Sequence, residues 1–225
     1  GTFITRLLQS RIIETENLLY KYTNEIYANE LILLSYYIAA INIEETFKEV
    51  YATEEYQPYE GIVLTDTFES TEHEDVLDND IFGDNNTRLQ KQKITPITVI
   101  MGNPPYSGRQ RNENDENENT VYTKLHNRIL NTYLANSKAT ASHSVYDSYI
   151  KAIRWATDRI SDGNGVIGYV TQNSYIDNHS LDGVRESLYK EFNYIYIINL
   201  KGAIRGKSRE YIDKIEGKNV FDIMS

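Results

Sequence analysis

The chain has 225 residues, a formal net charge of -10, 40% hydrophobic and 25% charged residues, and no cysteine. This length is enough to bury the core of one moderate domain. The composition excludes disulfides and thiolate metal centres, and the lack of any long apolar run excludes a membrane-spanning helix.

The opening Gly1-Thr2-Phe3-Ile4-Thr5-Arg6 has no basic stretch leading into an apolar core, so it does not read as a secretory signal. With cysteine absent, a reducing, cytoplasmic setting is expected. Residues 3–19 carry Phe3, Leu7, Leu8, Ile12 and Leu19 at helical spacing. Residues 25–29 form a short strand candidate. From Leu31 to Val50 the apolar positions Leu31, Leu34, Ile38, Ile41 and Val50 give the stripe of a long amphipathic helix. Residues 61–65 read as a buried strand ending at Asp66, and the polar stretch 69–94 as loop with a short helix.

The β-prone run 97–101 stops at Gly102-Asn103-Pro104-Pro105, because proline cannot donate to a strand ladder. An Asn/Glu tract over 107–120 is too polar to bury a core, and it opens a polar insertion spanning 107–144. Val145, Tyr149, Ile153, Ala156 and Ile160 share one helical face. A turn at 162–165, a strand at 166–171, a helix at 182–192 and a strand at 194–200 follow. Strands alternating with helices predict an α/β fold: a Rossmann-like, doubly wound, mostly parallel sheet with helices on both faces. Ligands of such sheets sit at the carboxyl ends of the strands. Glu30, Asp66 and Asn103-Pro104-Pro105-Tyr106 all fall at predicted strand ends.

Asn103-Pro104-Pro105-Tyr106 carries the most information. At average residue usage such a tetrapeptide arises by chance in roughly one chain of this length in a thousand. An exocyclic aromatic amine is a poor nucleophile because its lone pair is delocalised into the ring. Two acceptors, the Asn103 side-chain oxygen and the Pro104 carbonyl, can take both N–H hydrogens and favour a pyramidal nitrogen facing a methyl donor. The prolines preorganise those acceptors, and Tyr106 can stack on a base flipped out of a duplex. The bland alternative is a rigid strand-to-loop turn with an exposed ring. Glu30 has its own plain reading, an acid at a helix start, and so does Asp66, a turn or cap residue.

On these residues the chain resembles the methyltransferase region of N6-adenine DNA methyltransferases. It is similar in particular to the core of single-chain restriction-modification enzymes that fuse nuclease, translocase, methyltransferase and target-recognition parts. The resemblance covers nearly the whole chain and implies a class I methyltransferase fold, S-adenosyl-L-methionine as cofactor and double-stranded DNA as partner of the full-length protein. Within it, Gly1-Thr2-Phe3 matches the tail of the cofactor loop. Glu30 matches the acid that holds the cofactor ribose. Asp66, followed by Thr67 and Phe68, matches the acid for the cofactor adenine amine. Asn103, Pro104, Pro105 and Tyr106 match the catalytic motif, Tyr146 to Tyr149 the segment lining the cofactor pocket, and 165–175 the strand and loop that follow.

The family pattern continues past both ends of these 225 residues. The resemblance therefore implies a catalytic core truncated at both ends, separated from flanking nuclease, translocase and target-recognition domains. A piece of that kind is expected to be inactive, and to bind little cofactor or DNA by itself. Two other functions stay open. One is methyl transfer to a protein glutamine amide, since the same tetrapeptide occurs in enzymes acting on translation release factors. The other is a non-catalytic structural module within a larger restriction enzyme. The four histidines, His73, His126, His143 and His179, lack metal-ligand spacing, so no metal is expected.

Overall fold

The computed structural model describes residues 1–72, 83–105, 122–139, 143–160 and 164–200. Its contacts divide the chain into two units. One comprises Gly1–Asn103, Asn112–His126 and Ala152–Tyr169, the other Pro104–Arg111, Asn127–Lys151 and Val170–Ser225. None of the described helices is long and apolar enough to cross a membrane.

The first unit opens with α1 (Thr2–Gln9) and α2 (Thr15–Asn24), where one continuous helix was expected. The break has a local cause. The Ser10 hydroxyl donates to the Leu7 carbonyl at 2.7 Å, and Arg11 takes a left-handed conformation with φ 57°, which no helix interior tolerates. Strand β1 (Ala28–Glu30) leads into α3 (Leu33–Tyr51), which is followed by β2 (Ile62–Leu64).

The inward face of α3 is Ala39, Ile43, Thr46 and Phe47. Leu34, Ile38 and Ile41, which the periodicity singled out, are 68%, 52% and 59% exposed. A helix apolar on two sides offers two candidate core faces. Here the packed one is that which meets α1 and the aromatic cluster, where Tyr22 stacks on Phe47 at 3.8 Å between ring centroids. Ile4, Leu8, Leu18, Ile43, Tyr59 and Ile62 complete this core, and burying such side chains contributes about 1.5–3 kcal/mol each.

β1 and β2 run parallel, with Ala28, Asn29 and Glu30 opposite Ile62, Val63 and Leu64. On the far side of β2 stands α4 (Gly83–Ile94), a longer helix than the polar sequence suggested. Its Asn85 amide accepts from the Leu64 N–H at 2.7 Å and donates to the Leu64 carbonyl at 3.0 Å. The side chain thus imitates a neighbouring strand and satisfies backbone groups that would otherwise be buried without partners. A second parallel pair joins β3 (Val99–Gly102) to β4 (Val166–Tyr169). Before β3, the Arg159 guanidinium, at the end of α6 (Ser148–Arg159), donates to the carbonyls of Gln92 and Thr95, both at 2.7 Å. The described strands are therefore short and parallel, and the chain is an α/β protein.

In the second unit, α5 (Thr123–Ile129), which begins in the first unit, continues into a π-helical turn (Leu130–Leu134) that packs against α8 (Asp182–Glu191). The contact is close because Gly183 has no side chain: a β-carbon there would run into the Tyr133 carbonyl oxygen and stand 2.8 Å from the Ser137 nitrogen. The Asp182 carboxylate accepts from the Ser137 hydroxyl at 2.5 Å and from the backbone N–H groups of Lys138 and Gly183 at 2.9 and 2.7 Å. α7 (Ser174–Asp177) precedes α8. Residues 194–200, expected as a strand, form no ladder among the described residues, and Tyr196 and Ile198 are 87% and 83% exposed. An extended β-prone run becomes a strand only when a neighbour supplies N–H and C=O partners.

Candidate functional site

The parallel pairing of β1 and β2 decides where the two expected acids lie. Glu30 is the last residue of β1, opposite Leu64 at the end of β2. The Thr65 N–H then donates to the Glu30 carbonyl at 2.9 Å, so Asp66 follows just beyond the ladder. Both carboxylates consequently occupy the carboxyl edge of one strand pair, where α/β sheets bind ligands.

Each acid is held by its own loop. Glu30 Oε1 accepts from the N–H groups of Leu31 and Ile32 at 3.1 and 3.3 Å, at the start of α3. Among the described residues, no donor bonds to Oε2. Asp66 Oδ1 accepts from the Phe68 and Glu69 N–H groups at 2.8 and 3.3 Å. These bonds also fulfil the plain reading, in which both acids terminate their own turns. They leave one oxygen of each acid directed elsewhere, and on Asp66 that oxygen meets a residue the sequence reading had not marked. The Tyr122 hydroxyl donates to Asp66 Oδ2 at 2.7 Å, and the Tyr122 ring stands edge-on to Phe68 at 5.4 Å. Burial, first, and the Asp66 carboxylate, second, push the Tyr122 phenol above its ordinary range, so it stays a donor.

Between the acids, Asn29 Nδ2 donates to Thr67 Oγ1 at 3.3 Å while its buried Oδ1 has no partner among the described residues. A buried acceptor without a donor costs about 1–3 kcal/mol. The set comprises two acceptor-only carboxylates, an orphan acceptor and an aromatic ring. It suits a ligand that presents hydroxyls, an amine and a flat ring.

Of the other expected cofactor residues, Gly1, Thr2 and Phe3 form the start of α1. The Gly1 carbonyl accepts from the Thr5 N–H at 3.0 Å, and a β-carbon on Gly1 would lie 3.2 Å from Ala39 of α3. Asn103 follows β3 directly and is exposed, Pro104 is buried and Pro105 exposed. Gly102 lies against the Tyr169 ring, its register partner on β4. The second parallel pair thus delivers the Asn-Pro-Pro turn at its own carboxyl end. Tyr106 lies outside the described residues. Tyr146 belongs to the second unit, in a 3-10 turn (His143–Tyr146). Nearby, the Tyr149 hydroxyl hydrogen-bonds Ser174 Oγ at 2.7 Å, joining the segment that the resemblance places at the cofactor pocket to the loop after β4. Burial pushes the Tyr149 phenol up to about 12. Among the described residues, no cluster of three or more His, Asp or Glu is placed to hold a metal ion.

Parallel strands with acids and an Asn-Pro-Pro turn at their carboxyl ends make this an α/β protein with polar groups where such sheets bind ligands. The profile of the Eco57I restriction-modification methylase family matches residues 9–204. The chain belongs to that family, whose chemistry requires a methyl-donor cofactor. Similar solved structures include three complexes with DNA or a DNA mimic. A nuclease-deletion mutant of the Type ISP restriction-modification enzyme LlaGI, in complex with a DNA substrate mimic, is 52% identical with a TM-score of 0.86, over 93% of this chain and 18% of that one. The ATP-dependent Type ISP enzyme LlaBIII bound to DNA is 53% identical with a TM-score of 0.87, over 99% of this chain and 15% of that one. A DrdV–DNA complex is 40% identical with a TM-score of 0.78, over 90% of this chain and 19% of that one. The chain therefore spans less than a fifth of the length of these relatives. No curated protein sequence matches it.

Proposed function

We propose that this chain is the methyl-transferring core of a restriction-modification enzyme, acting on the N6 amine of adenine in double-stranded DNA by base flipping, with S-adenosyl-L-methionine as donor. The observation that carries the reading is the placement of Glu30 and Asp66 at one carboxyl edge, with Asn103-Pro104-Pro105 directly behind the carboxyl end of another parallel strand. In this reading the two strand pairs belong to one doubly wound sheet, and residues 1–225 form a single catalytic core with the polar insertion 107–144.

Glu30, through its Oε2, would hold the ribose hydroxyls. Asp66 would accept from the adenine amine, with Phe68 against the base and Gly1-Thr2-Phe3 and Tyr146 as further parts of the pocket. The cofactor supplies an electrophilic methyl on a sulfonium. Asn103 Oδ1 and the Pro104 carbonyl take the two N–H hydrogens of the target amine, which localises its lone pair for N–C bond formation. Such preorganised acceptors act at the developing charge. No general base is required, because the proton can leave to water after transfer. Tyr106 would stack on the flipped base.

The DNA complexes formed by the similar structures support a duplex substrate over a protein amide. The net charge of -10 assigns most phosphate contacts to flanking nuclease, translocase and target-recognition domains of a longer chain. The test is transfer of labelled methyl to duplex DNA by the full-length protein, with release factor as the competing substrate. Asn103→Ala should lower kcat by about 100-fold or more, the scale of losing one preorganised acceptor, while cofactor affinity changes little. Transfer to release factor and not to DNA would replace this reading with the glutamine one. Undiminished transfer by Asn103→Ala would favour the non-catalytic module.

A further inference from the structure

Tyr122 is the first described residue after Pro105, and nothing in the sequence distinguishes it among 19 tyrosines. Its surroundings do. The ring is 5% exposed, and the hydroxyl reaches Asp66 through Oδ2, the oxygen that the turn's own N–H groups leave to other partners. Next to it, Glu72 fixes the start of α5 by accepting from the N–H groups of Lys124 and Leu125 at 2.6 and 2.9 Å. The Tyr122 ring meets Phe68 edge-on at an interplanar angle of 79°, the T-shaped geometry favoured by the ring quadrupoles. Phe68 and the Asp66 carboxylate thus share one buried neighbour.

We infer that Tyr122 is a positioning residue of the methyl-donor site: it orients Asp66 Oδ2, and steadies Phe68, for the six-amino group of the donor's adenine. This rests on the proposed function. A carboxylate oxygen has two acceptor positions. The Tyr122 hydroxyl takes one and, by fixing the carboxylate, aims the other. Without the hydroxyl, Oδ1 is still held by the Phe68 and Glu69 N–H groups, but Oδ2 loses its own anchor and the carboxylate turns more freely. A neutral donor on a charged acceptor is worth enough to change ligand affinity about five-fold to ten-fold when only its orienting effect is lost.

The experiment measures binding of two ligands to the full-length protein by calorimetry: S-adenosyl-L-homocysteine, and its counterpart with hydrogen in place of the six-amino group. Tyr122→Phe removes one oxygen and keeps the ring against Phe68. It should weaken the amino ligand about five-fold or more and the deamino ligand less than two-fold, with the melting temperature nearly unchanged. In the Asp66→Asn background, Tyr122→Phe should add no further loss. Equal weakening of both ligands would mean a purely structural role and overturn the inference, as would equal affinity of wild type and Tyr122→Phe for the amino ligand. If the wild-type protein binds neither ligand, the proposed function fails instead.

Discussion

Gly61 sets how closely β2 approaches the chain that enters β1, so enlarging it tests whether that spacing builds the site. A β-carbon at Gly61 would collide with the Ile26 carbonyl oxygen and stand 2.9 Å from the Tyr59 ring. Neither obstacle is a free side-chain end. The Ile26 carbonyl also accepts from the buried Tyr59 hydroxyl at 3.1 Å, and the Gly61 carbonyl accepts from the Ala28 N–H at 3.0 Å. Restoring ordinary contact requires a shift of roughly 1 Å. Overpacking of this kind costs about 1–3 kcal/mol, and weakening the buried Tyr59 bond adds about 1 kcal/mol. Gly61→Ala should therefore destabilise the protein by about 2–4 kcal/mol, lowering its melting temperature by about 4–16 °C. Because Asp66 follows β2 and Glu30 ends β1, the same shift should weaken cofactor binding well beyond ten-fold, as displacements of 1 Å at assembled sites do. Differential scanning calorimetry and ligand titration measure the two effects. A Gly61→Ala protein that melts within 1 °C of wild type, with unchanged affinity, would refute the argument that this close approach registers the acids.

Gly183→Ala should be at least as disruptive in the second unit, because its obstacles are the Tyr133 carbonyl and the Ser137 backbone; thermal melting should fall by about 6 °C or more. The Asp182 carboxyl is held below its ordinary value of 3.8, first by the Ser137 hydroxyl and then by the Lys138 N–H. A depressed folded value means that its stabilisation is fully present above that ordinary value and is lost as pH falls through the lower one. Asp182→Asn should accordingly lower the melting temperature at neutral pH, by an amount that shrinks under acid; a deficit that does not vary with pH would contradict this. Arg159→Met leaves the Gln92 and Thr95 carbonyls without their shared donor and should cost about 2–4 kcal/mol, read from urea unfolding. Residues 1–225 alone should bind duplex DNA weakly at physiological salt; a tight, salt-sensitive gel shift would oppose assigning the phosphate contacts to flanking domains.

The amino-acid sequence by itself determined the elements whose signal is local. The run 97–101 had to stop before Pro104, and structure places β3 at Val99–Gly102. Helix α6 buries Tyr149, Ile153 and Ala156, as their spacing required, while Val145 is buried in the 3-10 turn that precedes it. The strand-end positions of Glu30 and Asp66 were legible because each closes a β-prone stretch. Long-range partners decided the rest. Which side of α3 faces inward depends on α1 and the Tyr22–Phe47 stack, contacts that no periodicity encodes. Residues 194–200 have strand composition but no ladder among the described residues, since pairing belongs to two segments and not to one. Asn85, Arg159 and Tyr122 look ordinary in sequence and acquire meaning only through the backbone groups or carboxylate they meet. Local propensity and backbone restriction act within a few residues and can be read along the chain, whereas hydrogen-bond partners 21 to 67 residues apart exist only once the chain has folded.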